Sequence, residues 1–414
     1  MKKYIAYCGL DCETCEARLA TVNNDDELRR KVAKLWSELN GVEITPDMIN
    51  CAGCRVDGVK MPYCDSMCRI RQCALSKGVG TCGRCENMDA CEHLAAITSN
   101  NKQALSRLRP EAYLFGMVLG SHSFLLKDGF IRPDEYSEIE EQYFLPGGET
   151  GTAATVLDSL GVSVRVDGPW TGTEVAPMLY RFYAGKNVDL SPLRQVDDRP
   201  GVMDYVIISG LVRSPMGRFQ KLFSSGERWW NTPREEDIIG CKAAAIDPFF
   251  GAESLLAGEL CAKHCIPYVT IDCRHDSPLH RNAAVNVVSR ECTSAQYPDM
   301  APEAVLELMR GETGGLTIIT QGGGEMLYAR KGQEIRRMKP FDVTVRSTLG
   351  AGDTFKAGCV YGLLRGMDDD QMVRFASACS AIAISRFPLP LDPPRLDEVN
   401  GLIRSQAGEG GGAA

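Results

Sequence analysis

A chain of 414 residues with 44% hydrophobic and 24% charged content is long enough for two or three domains. It is too apolar for wholesale disorder and too long for a small disulfide scaffold. A net charge of -8 argues against a protein built mainly to coat nucleic acid or anionic lipid. No apolar run reaches the ~18–20 residues needed to span a bilayer, and the opening residues fall short of a secretory core of roughly 7–15, so a cytoplasmic protein is expected.

The first hundred residues are dominated by thiols. Eleven of the eighteen cysteines fall there, as Cys8-x3-Cys12-x2-Cys15, Cys51-x2-Cys54, Cys64-x3-Cys68-x4-Cys73 and Cys82-x2-Cys85-x5-Cys91, with His93 close behind. A Cys-x2-Cys turn aims two thiolates at one ion, and two such turns make a tetrahedral zinc site. All eleven are therefore candidate metal ligands, enough for two or three Zn2+ sites in a module for structure or protein-partner binding. The first spacing is also that of radical-SAM iron–sulfur ligands, although no barrel pattern follows. Reduced thiols without metal are the third reading. A packing helix is predicted between the first two clusters, capped by Asn24 with Glu27 at its third position, running through Leu28, Val32, Leu35 or Trp36, and Leu39, and ended by Gly41. Arg69, Arg71, Lys77 and Arg84 read as a solvated face rather than a nucleic-acid patch. The stretch from Tyr7-Cys8-Gly9-Leu10-Asp11-Cys12 to Cys91-Glu92-His93-Leu94 resembles an uncharacterised cysteine-rich family of bacteria and archaea, a domain of unknown function, over most of residues 4–95.

Composition shifts near residue 109. Residues 1–109 carry a net charge of +2 and the remainder -10, and the Arg109-Pro110 step falls at the same place. The expected organisation is a cysteine-rich domain over 1–107, a second domain over 112–405 and a disordered tail at 406–414, the last eight residues being AGEGGGAA.

Beyond the boundary, strand-like runs alternate with helix-length segments. Strands are predicted at 113–119, 204–209, 243–246, 268–272, 284–289 and 316–320, with helices at 253–264 and 302–309 among them. Such alternation predicts a mainly parallel sheet with helices on both faces and a ligand at the carboxyl ends of the strands. The sharpest motif is Thr348-Leu349-Gly350-Ala351-Gly352-Asp353-Thr354-Phe355, between a strand-like 342–346 and an apolar helix over 355–364. Glycines at a helix start leave backbone N–H groups bare, and the helix end adds partial positive charge, so Gly350, Ala351 and Gly352 form a candidate anion hole. An acid in such a loop fits a general base, which makes Asp353 the candidate catalytic residue. The bland alternative is an N-cap beside turn glycines.

Residues 350–355 in this setting resemble the second signature of the ribokinase-like, or pfkB, carbohydrate kinases, and other landmarks follow in order. Pro146-Gly147-Gly148 with Ala153, Ala154, Leu157, Leu160 and Gly161 resembles that family's substrate-side motif. Residues 204–210 resemble its central strand, and Ala245-Ile246-Asp247 and Val269-Thr270-Ile271-Asp272 the next two. Val287-Val288-Ser289-Arg290-Glu291 resembles the strand end facing the nucleotide, and Ile318-Ile319-Thr320-Gln321-Gly322-Gly323-Gly324 the loop beside the ATP phosphates. The resemblance covers about 112–405. It implies a three-layer α/β/α sandwich with a mainly parallel sheet and a small β-lid, and in-line transfer from ATP to a small-molecule hydroxyl. By the same resemblance, Ser289, Glu291, Thr320, Gly322 and Gly324 would serve the nucleotide. Gly147, Gly148, Asp247 and Asp353 would serve the acceptor, Mg2+ would sit near Glu291, and a lid-mediated homodimer is a further expectation.

Departures from the family accompany these matches. The acid usually found four residues before the glycine loop falls on Arg346 or Ser347, which puts K+ activation in doubt. Ser289 and Cys292 replace an Asn-x-x-Glu pair, and Gly151 replaces the Asn after the Gly-Gly pair. The early sugar-gripping Asp has no match in residues 120–125, Asp128 being the nearest acid. The expected acceptor is therefore not a standard ribose or fructose. The other class left open is a non-catalytic nucleotide or sugar sensor coupled to the cysteine module. His264, His275 and His280 are read as helix-surface and loop positions, Trp229-Trp230 as a loop packed on the core or an acceptor-stacking surface, and Cys359 and Cys379 as small buried hydrophobes.

Overall fold

The computed structural model describes residues 5–406 other than 13, 86, 128, 131–133 and 210–211. Asp128, Gly210, the tail 407–414 and the side chain of Arg84, which figure in the expectations above, lie outside what it describes. The chain divides into two compact units, Met1–Pro110 with Tyr183–Asn187, and Glu111–Phe182 with Val188–Ala414. No helix of the described residues is long and apolar enough to cross a membrane.

The first unit is built from short helices and turns. Its longest helix is Asp26–Asn40, and Asp25 rather than Asn24 caps it, accepting from the Leu28 N–H at 2.9 Å. Asn24 instead takes a left-handed φ of 50° in the preceding turn. A carboxylate one residue on brings a full negative charge to the helix start, which the sequence pattern did not weigh. Gly41 ends the helix at φ 67°, as expected. Val32 and Ala33 pack with Ala17, Ala20 and Ile49 in one small core, and Ala6, Ile70, Met88, Leu94 and Leu108 form another.

The second unit contains two sheets. Its strands in chain order are β1 (Ala112–Phe115), β2 (Leu119–Leu126), β3 (Ile139–Gly147), β4 (Val164–Asp167), β5 (Val188–Asp189), β6 (Met203–Ser209) and β7 (Val212–Gly217). There follow β8 (Ala243–Ile246), β9 (Tyr268–Ile271), β10 (Val285–Ser289), β11 (Leu316–Gln321), β12 (Gly324–Ala329) and β13 (Arg336–Met338). Among the described residues, nine strands form the larger sheet in the order β13-β12-β11-β10-β9-β8-β1-β4-β5. Neighbours are parallel except at β11-β12 and β12-β13. Every residue of β1, β8 and β9 is buried, as helices on both faces of a parallel sheet require.

The remaining strands form a smaller sheet, β3-β2-β6-β7. The 204–209 strand, expected as a central strand of the large sheet, is β6 of this one. It pairs parallel with β2 and antiparallel with β7. Its alternating burial fits a sheet with one covered face, whereas a central strand is buried on both. The predicted strand at 342–346 is not formed. That segment keeps an alternation of half-buried and exposed residues but has no strand beside it, and the Arg346 and Ser347 N–H groups donate to the Ile384 carbonyl instead. The predicted 355–364 helix begins earlier, at Ala351, and runs to Leu364.

Candidate active site

The carboxyl ends of the central strands carry acids: Asp167 ends β4, Asp247 follows β8 and Asp272 follows β9. Above this edge is a cavity of about 530 Å³. Its floor and one wall come from Gly350–Asp353 and from Asp272, Ser289 and Glu291. Gly147, Gly148 and Glu149 close a second side, and the inner face of the small sheet closes a third through Ser121, Ser123, Asp204, Arg213 and Pro215. Strand register explains this set. Ser121 pairs with Asp204, Val206 with Pro215 and Ile208 with Arg213, and directly paired residues share a face.

Gly350 is the N-cap of the Ala351–Leu364 helix, so Asp353 occupies the third helical position. Its φ of 78° suits a residue without Cβ. The first-turn N–H groups have no carbonyl partner within their own helix, and Ala351 N–H makes a long contact, 3.4 Å, with the Thr348 carbonyl. Thr354 N–H and hydroxyl both close on the Gly350 carbonyl, at 2.9 and 2.8 Å, which fixes the turn. Arg213 of β7 ties the small sheet to this loop, donating to the Thr348 carbonyl at 2.6 Å and its hydroxyl at 2.9 Å. Opposite, Gly148 adopts φ 78°, and a Cβ there would sit 2.5 Å from the Met117 carbonyl oxygen.

Beneath the cavity lies a fully buried ion pair. The Lys356 ammonium donates to Asp247 Oδ1, while Asp247 Oδ2 accepts from the Met117 N–H at 3.0 Å and the Thr150 hydroxyl at 2.9 Å. Burial works to lower the Lys356 pKa, but Asp247 and Asp353 together hold it above its ordinary value. Burial likewise pushes the Asp353 carboxyl up to about 6, with Lys356 opposing and Asp247 adding. Glu149 is raised further, to about 8, by burial and by repulsion from Asp353 and Asp247. Two facing carboxyls thus titrate well above the usual carboxylate range and depend on each other.

The structure gathers most of the expected site and displaces part of it. Asp353, Gly350, Ala351, Gly352, Gly147, Gly148, Ser289 and Glu291 all line the one cavity. Asp247 does not. It was expected to touch the acceptor, but it is wholly committed to Lys356, Thr150 and the backbone below. Thr320 stands beside Ser289 one strand further out, Gly322 lies in the turn from β11 to β12 and Gly324 opens β12, all outside the cavity lining. Glu149, Asp204, Arg213 and Lys356 were not singled out from sequence. An acid directly after the Gly-Gly pair is the one local signal that pointed to Glu149. Trp229 and Trp230 pack against the core around Phe250 rather than lining the cavity. His280, expected at a surface, is fully buried, with Nε2 2.8 Å from the Met309 carbonyl and Nδ1 2.8 Å from the Asn286 amide.

In the first unit, Cys73, Cys82, Cys85, Cys91 and His93 line a cavity of about 150 Å³, and Lys77 Nζ donates to Cys85 Sγ at 3.5 Å. Cys51 packs with Cys15 and Cys64, while Cys8 packs with Cys12, Cys54 and Cys68. All eighteen cysteines are free thiols. Burial raises Cys8 to about 11, and Cys12, Cys64 and Cys82 to about 12. Among the described residues, no group of three or more His, Cys, Asp or Glu is gathered closely enough to hold a metal ion. The expected ligands are neighbours without ligand geometry.

Comparison with known proteins gives two family matches. Residues 291–389 match the pfkB family carbohydrate kinases, and residues 4–96 match a protein family of unknown function, DUF3795. A 5-dehydro-2-deoxygluconokinase of Shouchella clausii is 36% identical over 92 residues, which is 22% of this chain and 28% of that protein. The chain therefore matches well under a third of the length of that curated relative. An Arabidopsis thaliana ribokinase complexed with ribose and ATP superposes with a TM-score of 0.58 at 14% identity, covering 72% of this chain and 99% of that one. A Methanocaldococcus jannaschii nucleoside kinase, an archaeal member of the ribokinase family, gives 0.56 at 14%, with the same coverage. The second unit has the ribokinase-like fold.

Proposed function

We propose that the second unit is an ATP-dependent phosphotransferase that moves the γ-phosphoryl group onto a hydroxyl of a sugar or related small molecule. The observation that carries this reading is Asp353, a carboxylate in the first turn of a helix whose start, Gly350–Gly352, lines the same cavity. Asp353 takes the hydroxyl proton as the oxygen attacks the γ-phosphorus. The bond to the bridging oxygen breaks, and ADP leaves. General-base help of this kind is worth ~10²–10⁴-fold. The Gly350, Ala351 and Gly352 N–H groups receive the charge on the transferring group. Mg2+ bound to the ATP phosphates would neutralise their charge, and the acids present suit a hard ion held largely through water, Glu291 and Asp272 both lining the cavity. The small sheet covers the acceptor and keeps water from taking its place.

The pfkB match over 291–389 supports this reading because it contains both loop and base. The ribokinase of like fold, described with ribose and ATP, supports the substrate classes. The test is ADP formation across a panel of sugars, sugar alcohols and nucleosides. Acceptor-dependent ADP release is expected for at least one class. The absence of ADP release with every acceptor would leave the sensor reading.

For the first unit we infer zinc at the clustered thiols, with an iron–sulfur centre as the alternative. Thiolates are the donors zinc prefers, four of them share one small cavity, and binding would draw them into ligand geometry. Protein prepared without chelators should be colourless and carry two or three zinc atoms. Visible absorbance with iron would select the cluster, and metal-free protein would sink both. We also infer a homodimer through the outer face of the small sheet. His122 stacks there between Phe144 and Tyr205, at 4.2 and 5.0 Å, and Tyr205 and Met216 stay 44% and 48% exposed. Light scattering should give twice the chain mass, reduced to one by Tyr205→Glu.

A further inference from the structure

Asp204 is an acid in an unusual position. It lies on β6, on the face of the small sheet that lines the cavity. Only 9% of the residue is exposed, its Oδ1 is buried without a hydrogen-bond partner among the described residues, and Ser121 lies directly across the sheet from it. A buried acceptor left unpaired costs ~1–3 kcal/mol, more when charged, and such groups call for an explanation. Burial also raises the Asp204 carboxyl pKa, with Ser121 working the other way. A donor in the cavity that draws the carboxyl round toward it would remove that cost.

The rest of the inner face indicates what kind of donor. Arg213, the cation of this face, pairs in register with Ile208, four residues along β6 from Asp204. At ~3.3 Å per residue that places it roughly 13 Å further along the sheet. There it is bound to Thr348 at the glycine loop, the phosphate end. Ser121 and Ser123, both buried, accompany Asp204. Arg386, the other guanidinium of the cavity lining, is held by Asp392 and Glu398.

We propose that Asp204 is a specificity-determining residue of the acceptor site, selecting neutral acceptors that present a hydroxyl donor to its free oxygen and disfavouring sugar acids. This rests on the kinase reading and deepens it. A carboxylate acceptor, as the relatives' name denotes, would bring a second negative charge against a buried one, whereas a polyol or aldose satisfies Oδ1. The reacting hydroxyl lies at Asp353, and Asp204 holds another hydroxyl of the same molecule.

The test compares matched pairs, glucitol with gluconate and ribose with ribonate, for wild type, Asp204→Asn and Asp353→Asn. Turnover is read as ADP release. Binding is read by calorimetry, in the presence of a non-hydrolysable ATP analogue. Wild type should favour the neutral member of a pair at least tenfold. Asp204→Asn, nearly isosteric, should raise KM and the dissociation constant for that member about tenfold with kcat changed less than threefold, and should narrow its advantage over the acid. Asp353→Asn should lose kcat while keeping the binding preference. The binding arm separates the two claims: a neutral preference that depends on Asp204, without any turnover, would sink the kinase reading and keep the Asp204 assignment. The assignment is overturned if Asp204→Asn leaves the neutral-to-acid ratio unchanged, if wild type prefers the acid, if neither member binds, or if K+ or Na+ alone accounts for the effect of the variant.

Discussion

Lys356 holds the floor of the site at the scale of single residues. Its ammonium and the Asp247 carboxylate are both fully buried, and Asp247 spends its second oxygen on Met117 and Thr150. Removing one member of such a pair leaves an uncompensated charge, a loss of about 3–5 kcal/mol. Lys356→Met should show that loss in denaturant unfolding, and Lys356→Met with Asp247→Leu should recover much of it. A single variant as stable as wild type would contradict the pair's role. The facing acids make a pH prediction. Asp353 and Glu149 are raised to about 6 and about 8, so between the ordinary carboxylate range and those values the fold binds more protons than the unfolded chain. Stability of the unliganded protein should therefore fall as pH rises through that window. Catalysis runs the other way, because a base must be ionised: kcat/KM should fall as pH drops through about 6. Glu149, raised to about 8 in part by Asp353, is still protonated there, so Glu149→Gln should leave that limb in place, whereas Asp353→Asn should lower the Glu149 pKa, and an unmoved Glu149 would show that the two carboxyls do not interact. Asp353 was legible in sequence because its loop is one contiguous motif. Glu149, Lys356 and Asp204 were not, because each acquires its meaning from partners that lie tens to more than a hundred residues away in the chain.

At the scale of elements, the glycine-loop helix and the small sheet act together through the Arg213–Thr348 hydrogen bonds. Arg213→Ala should lower kcat/KM and raise the ratio of ADP released to acceptor phosphorylated, since a loosened lid admits water. An unchanged ratio would show that the contact closes nothing. Apolar runs located four parallel strands well, 243–246 to the residue and 268–272, 284–289 and 316–320 to within one, but 113–119 overran β1, which ends at Phe115, and β4 and β5 were not read. Two elements misled for opposite reasons. The 204–209 strand has the β pattern but gains its place in the small sheet from β2 and β7, and pattern alone does not choose between sheets. The 342–346 segment has the same alternation but no partner strand, and a strand needs one.

The whole molecule joins a thiol-rich unit to a ribokinase-like one. The shift in charge and cysteine content marked a change near residue 109, whereas nothing in the sequence signalled that Tyr183–Asn187 groups with Met1–Pro110. The purpose of the thiols was not legible from spacing, because metal binding depends on how four turns converge. The chemistry proposed for the chain rests on Asp353. The direct measurement is acceptor-dependent ADP formation by wild type and Asp353→Asn, with the best acceptor, at pH 8. A loss of kcat of ~10²–10⁴-fold with acceptor binding retained is the predicted result. Equal turnover by the two proteins would remove Asp353 as the base and the proposed mechanism with it.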